Sequence, residues 1–121
     1  MKNPRILCVD DDEVGLKVRK LTLESRGYAV ATAANADAAL QLSNDHFDLY
    51  ILDYAMPGMN GGELAMLIRH KHPHAKIVLL SAYLSVAPEH MRSADAFLTK
   101  SGDPLHFLSN VGELLQQSCA N

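Results

Sequence analysis

The sequence predicts an α/β fold, a three-layer αβα sandwich on a five-stranded parallel sheet, and three observations carry that prediction. Short apolar runs alternate with longer amphipathic segments along all 121 residues, as in repeated strand–helix units. The runs at Arg5-Ile6-Leu7-Cys8-Val9, Leu49-Tyr50-Ile51-Leu52 and Ile77-Val78-Leu79-Leu80 are almost continuously apolar, as strands covered by helices on both faces must be. Right-handed crossovers then give the layered sandwich.

Strands are expected over 5–10, 29–33, 48–53, 76–81 and 96–99, and helices over 13–26, 36–44, 61–72, 87–93 and 104–117. In the first helix Val14, Val18 and Leu21 share a face, Leu16 and Leu23 point elsewhere, and Gly15 weakens the segment. Gly27 is expected to close it as a left-handed cap, with Tyr28 beginning the return to the sheet. Asn35 can cap the second helix, where Ala36, Ala39 and Leu40 form one face. Leu64, Leu67 and Ile68 stripe the third, which Pro73 ends. Only 88–93 are free to form a fourth helix, which is therefore short and dependent on packing. Asp103-Pro104 is an N-cap followed by proline in the first turn, and Leu105, Leu108, Val111 and Leu115 form the expected buried stripe.

A hydrophobic content of 48%, a charged content of 21% and a net charge of −3 describe an ordinary globular domain over 1–121. Nothing in that balance marks a nucleic-acid or membrane binder, and no apolar run reaches the roughly 20 residues of a membrane span. No signal-peptide pattern opens the chain, and no DNA-binding or catalytic module is expected after residue 117. Cys8 reads as a small buried hydrophobe, unpaired with Cys119, which fits a reducing cytoplasm.

The chemistry gathers where the apolar runs stop. Asp10 and Asp11 follow the first, Asp53 the third, Ser81 the fourth and Lys100 the fifth. In a parallel sheet these groups share the carboxyl edge, where open α/β sheets bind ligands. Clustered carboxylates repel, and a hard cation with oxygen ligands relieves them. Acids, a hydroxyl and an ammonium together describe a site for a divalent cation and a phosphoryl group. Alone, Asp10-Asp11-Asp12-Glu13 reads as a solvated acidic helix start, and Tyr54 either shapes access to Asp53 or is plain surface. His70, His72 and His74 do not share a helix face and are not expected to bind metal, while Met56, Met59 and Met66 read as packing.

These residues resemble the receiver domains of bacterial two-component response regulators over essentially the whole chain. The resemblance rests on Ile6-Leu7-Cys8-Val9-Asp10-Asp11-Asp12, on Asp53-Tyr54-Ala55-Met56-Pro57-Gly58-Met59-Asn60-Gly61, on Leu80-Ser81-Ala82 and on Phe97-Leu98-Thr99-Lys100, in that order. It implies a flavodoxin-like strand order, 2-1-3-4-5, of which this family is itself a known instance. It implies Asp53 as phosphoacceptor, with Mg²⁺ held by Asp10, Asp11, Asp53 and the Ala55 carbonyl, Asp11 directly and Asp10 mostly through water. Ser81 is implied as switch hydroxyl, Phe97 as switch aromatic and Lys100 as the phosphate-binding lysine. The implied donor is a phosphohistidine of a sensor histidine kinase or phosphotransfer protein. Output is expected through protein partners at the surface formed by 87–93, 96–99 and 104–117, without direct nucleic-acid or membrane contact. Such a domain is no enzyme beyond its own phosphorylation and dephosphorylation. It acts as a stand-alone regulator, as a phosphorelay carrier or as part of a longer chain. The competing reading is a Mg²⁺-dependent phosphohydrolase of small phosphate esters, for which the chain has no spare length to build a cap.

The sequence departs from the family in three places. Ser101 stands where the family places proline after a cis bond, and since cis before a non-proline costs about 2.5–4 kcal/mol, a trans Lys100–Ser101 bond is expected. The stretch between Ser81 and Lys100 is short, and Phe97 replaces a more familiar tyrosine. Tyr83 is positioned to shield a phosphoryl group from water.

Overall fold

The computed structural model describes residues 3–82 and 86–119. Its elements run β1 (Arg5–Val9), α1 (Glu13–Glu24), β2 (Ala29–Ala33), α2 (Ala36–Leu42), β3 (Leu49–Asp53), α3 (Gly61–Lys71), β4 (Lys76–Ser81), α4 (Pro88–Met91), β5 (Ala96–Thr99) and α5 (Pro104–Cys119). The five strands form one parallel sheet in the order β2-β1-β3-β4-β5.

Strand residues alternate between two cores, as the period of two demands. Leu7, Val9, Tyr50, Leu52, Ile77 and Leu79 face one core with Ala36 and Ala39 of α2 and Leu64, Ala65 and Ile68 of α3. Ile6, Cys8, Leu49, Ile51, Val78 and Leu80 face the other with Leu16 and Leu23 of α1 and Leu108, Val111, Leu114 and Leu115 of α5. The sheet is thus covered on both sides, which is why its central strands carry no polar face.

Local chemistry sets the helix ends. The Asn35 side chain accepts from the Ala38 N–H at 2.8 Å, and Asn60 and Glu63 form a reciprocal capping box on α3. The Asp103 carboxylate accepts from the Leu105 N–H at 3.0 Å at the start of α5.

Four expectations need correction. The core-facing residues of α1 are Leu16 and Leu23, while Val14, Val18 and Leu21 are exposed. Leu67 and Leu105 are exposed, and Ala65 and Leu114 take the buried places. A small residue at Ala65 lets α3 lie close on the sheet. The C-cap of α1 is Ser25 rather than Gly27, although Gly27 does adopt φ +86° in the turn that follows. Finally, α1 and α2 end at Glu24 and Leu42, each about two residues before the expected boundary.

The fourth helix is short, one turn over Pro88–Met91. Cys8 is free and fully buried, and burial pushes its thiol up to about 12. The Cys119 side chain and Tyr83 lie outside the described residues. Among the described residues no helix is long and apolar enough to cross a membrane.

Candidate functional site

Sheet register assembles the site. Val9 pairs with Leu52, which sets Asp10 beside Asp53 one residue further on. Asp53 pairs with Leu80, and Ser81 with Thr99, so Ser81 and Lys100 come to the same edge. The Lys100 N–H donates to the Ser81 carbonyl at 2.8 Å, which carries the β4–β5 ladder one residue beyond the last strand pair. All cis bonds are absent among the described residues, so Lys100–Ser101 is trans.

The loop after β3 is held tightly. The Tyr54 N–H donates to the Leu80 carbonyl at 2.7 Å, and the Gly61 N–H to the Tyr54 carbonyl at 2.9 Å. A Cβ on Gly61 would fall 2.3 Å from the Asp53 carbonyl oxygen, so only glycine lets α3 start this close to β3.

Asp10, Asp11 and Asp53 bring one carboxylate oxygen each within 4.8 Å of one another, the sole such group of His, Cys, Asp and Glu among the described residues. Asp10 and Asp53 are buried and Asp11 is exposed, so the cluster opens to solvent on the Asp11 side. Lys100 Nζ bridges the two buried acids, 3.0 Å from Asp10 Oδ2 and 3.0 Å from Asp53 Oδ1.

This charge balance separates the two acids. Burial pushes Asp53 up to about 6, Lys100 opposes that shift, and the neighbouring Asp10 adds to it. Asp10 is also desolvated by burial, yet the Asp12 N–H at 2.9 Å, Lys100 and the Arg19 guanidinium together lower it. A proton entering the pair therefore resides on Asp53. Burial works against the charged Lys100, but the two carboxylates raise it above its ordinary value.

Ser81 is buried, and Phe97 is half-buried against the core that contains α3. Phe97 lies between two cavities, one of about 280 Å³ with Met91 and Ala94 and one of about 200 Å³ with His106 and Phe107. Tyr54 is not simple surface: its hydroxyl lies 2.8 Å from His90 Nδ1 and accepts from the Ala87 N–H at 3.3 Å. The histidine series does not gather, since His72 Nε2 donates to the Ser43 carbonyl at 2.7 Å while His70 and His74 are exposed. Met56 and Met59 pack on the core and Met66 is exposed.

Three contributors were not singled out from sequence: Arg19, Gly61 as a packing requirement, and His90. A signal for Arg19 existed, because it lies on the Leu16–Leu23 side of α1 at helical spacing.

Fold and site together define an acidic strand-edge site on a doubly covered parallel sheet. The family model described as the response regulator receiver domain matches residues 6–111. The response regulator protein FleR of Pseudomonas aeruginosa is 38% identical over 95 residues, 76% of this chain but 20% of its own length. A receiver domain protein of Methanospirillum hungatei superposes with a TM-score of 0.91 at 32% identity, covering 97% of each chain. The response regulator TrrA of Thermotoga maritima, solved in complex with Mg²⁺-BeF, gives 0.87 at 37% identity over 92% of this chain and 98% of its own. The chain belongs to the receiver-domain family of two-component response regulators, and it spans about one fifth of FleR.

Proposed function

We propose that this receiver accepts one phosphoryl group on Asp53 and acts as a phosphorylation-controlled binding module. The observation that carries the reading is the bridging Lys100 ammonium, 3.0 Å from an oxygen of Asp10 and of Asp53, beside the exposed Asp11 carboxylate. Asp53 attacks the phosphorus of a phosphohistidine on a sensor histidine kinase or phosphotransfer protein. The P–N bond breaks, the imidazole leaves, and the new P–O bond is an acyl phosphate. Such transfer needs positioning and charge neutralisation more than acid–base chemistry.

The donor set fits Mg²⁺: hard carboxylate oxygens that converge, one of them on an acid raised to about 6 by burial and crowding. Asp10, Asp11, Asp53 and the Ala55 carbonyl would hold the ion, which supplies positive charge against the phosphoryl oxygens. Lys100 supplies the opposing point charge and holds Asp53 in place. Ser81 donates to the arriving phosphoryl, and Phe97 shifts into the space that its movement frees. The α4–β5–α5 surface is then altered for a protein partner in the cytoplasm. The domain 1–121 serves as a stand-alone regulator, a relay carrier or one module of a longer chain.

Incubation with acetyl phosphate and Mg²⁺, followed by intact mass measurement, tests this. A gain of one phosphoryl group that Asp53→Asn abolishes is expected. Continued uptake by that variant, or steady turnover of small phosphate esters by the wild-type protein, overturns the reading.

A further inference from the structure

Arg19 places a second cation in the acidic site. Its guanidinium pairs with Asp10 Oδ2, the same oxygen that Lys100 approaches at 3.0 Å, while the Asp12 N–H occupies Oδ1 at 2.9 Å. Asp10 is 1% exposed, so every neighbour that compensates its charge is fixed by the fold. The Arg19 side chain is 16% exposed and rises from the side of α1 that also presents Leu16 and Leu23 to the core. A guanidinium in such a position is costly unless a carboxylate meets it.

One turn earlier, Gly15 keeps this corner open. A Cβ there would fall 2.9 Å from Asp12 Oδ2 and 3.7 Å from the Arg19 guanidinium. Arg19 and Lys100 also share the wall of a cavity of about 280 Å³ between α1 and the β5–α5 loop, which Phe107 helps to line.

We propose that Arg19 is a built-in counter-cation that holds Asp10 in the metal-free protein and competes with the divalent ion for the site, lowering its Mg²⁺ affinity. This rests on the Mg²⁺-dependent phosphoacceptor reading above. Three converging carboxylates with one lysine would attract a divalent cation strongly. A second fixed cation on the most buried acid repels the incoming ion at short range, where screening by water is weak. Arg19 is thus a positioning residue: it touches Asp10 rather than the phosphoryl group, and it sets the Mg²⁺ concentration at which Asp53 becomes reactive.

Calorimetric titration of Mg²⁺ into the whole chain tests the proposal. Arg19→Gln is expected to bind the ion about five- to tenfold tighter than wild type, consistent with removal of one nearby charge in a partly screened site. Its metal-free form melts at a lower temperature, and saturating Mg²⁺ recovers most of the deficit. Equal or weaker binding by a folded Arg19→Gln overturns the role of Arg19 alone. Absence of Mg²⁺ binding by the wild-type protein overturns the metal reading and this proposal with it. A second arm needs no variant: the Arg19 guanidinium resonances of the wild-type protein should shift in step with Mg²⁺ saturation, and resonances indifferent to the ion contradict the proposal.

Discussion

Lys100 Nζ lies 3.0 Å from Asp53 Oδ1, a contact between the last residue of β3 and the residue that follows β5. Because the same ammonium also meets Asp10, Lys100 is the group that keeps Asp53 from rising further under burial and the Asp10 charge. Lys100→Met should therefore move the Asp53 carboxyl above about 6. Carbon-detected NMR titration of Asp53 reads this directly, and an unchanged or lowered value would remove Lys100 from the account.

The same shift predicts a stability effect with a definite sign. Asp53 titrates near 6 in the folded protein against 3.8 ordinarily, so the folded state holds this proton more tightly than the unfolded one. Ionising Asp53 then costs stability as pH rises from about 4 to about 6, and the whole cost is present above that window. Asp53→Asn, which cannot ionise, should be more stable than wild type by about 1–3 kcal/mol at pH 7.5 without divalent cations. The gain should fade as pH falls toward 4. Thermal melts across that range check both the sign and its disappearance.

Two adjacent glycines should respond differently to alanine. At Gly61 the new Cβ would meet Asp53 backbone atoms at 2.3 and 2.8 Å, which cannot move without disturbing the central strand β3. Gly61→Ala should cost about 2–4 kcal/mol and slow phosphate uptake. At Gly62 the Cβ would meet His90 Cγ at 2.3 Å and His90 Cβ at 2.5 Å, so the one-turn α4 that carries His90 must shift along with the ring, a smaller disturbance than moving a central strand. Gly62→Ala should cost about 1 kcal/mol and release His90 from Tyr54. Equal losses in denaturant melts would contradict the distinction.

Tyr54 ties the one-turn α4 to the loop after β3 through His90 Nδ1 at 2.8 Å and the Ala87 N–H at 3.3 Å. A helix of four residues has little stability of its own. Tyr54→Phe should leave global stability within about 1 kcal/mol of wild type while amide exchange in α4 accelerates. Hydrogen-exchange mass spectrometry of the peptide spanning α4 is the measurement, and unchanged protection would show that packing alone holds the helix.

The strands were legible because a strand buried on both faces is apolar at every position, as 49–52 and 77–80 are. Their order was not, since nothing local distinguishes β1 beside β3 from other pairings, and it came from family resemblance. Helix faces were harder. Val14, Val18 and Leu21 form a plausible apolar stripe, yet the structure buries Leu16 and Leu23 and leaves that stripe exposed. Both sides of α1 carry aliphatic residues, so spacing alone does not choose between them. The acids, Ser81 and Lys100 were visible as polar ends of apolar runs. Arg19 was missed because a charged residue within a helix reads as solvated, and its spacing from Leu16 and Leu23 becomes a signal once that side of α1 is taken as the buried one.

The most direct measurement is chemical trapping of the phosphorylated residue. After acetyl phosphate and Mg²⁺, borohydride reduction converts an aspartyl phosphate to homoserine, which peptide mass spectrometry then locates. The account predicts homoserine at position 53 alone, dependent on Mg²⁺ and lost in Asp53→Asn. Homoserine at Asp10 or Asp11, or phosphate uptake indifferent to chelation of the metal, would contradict it.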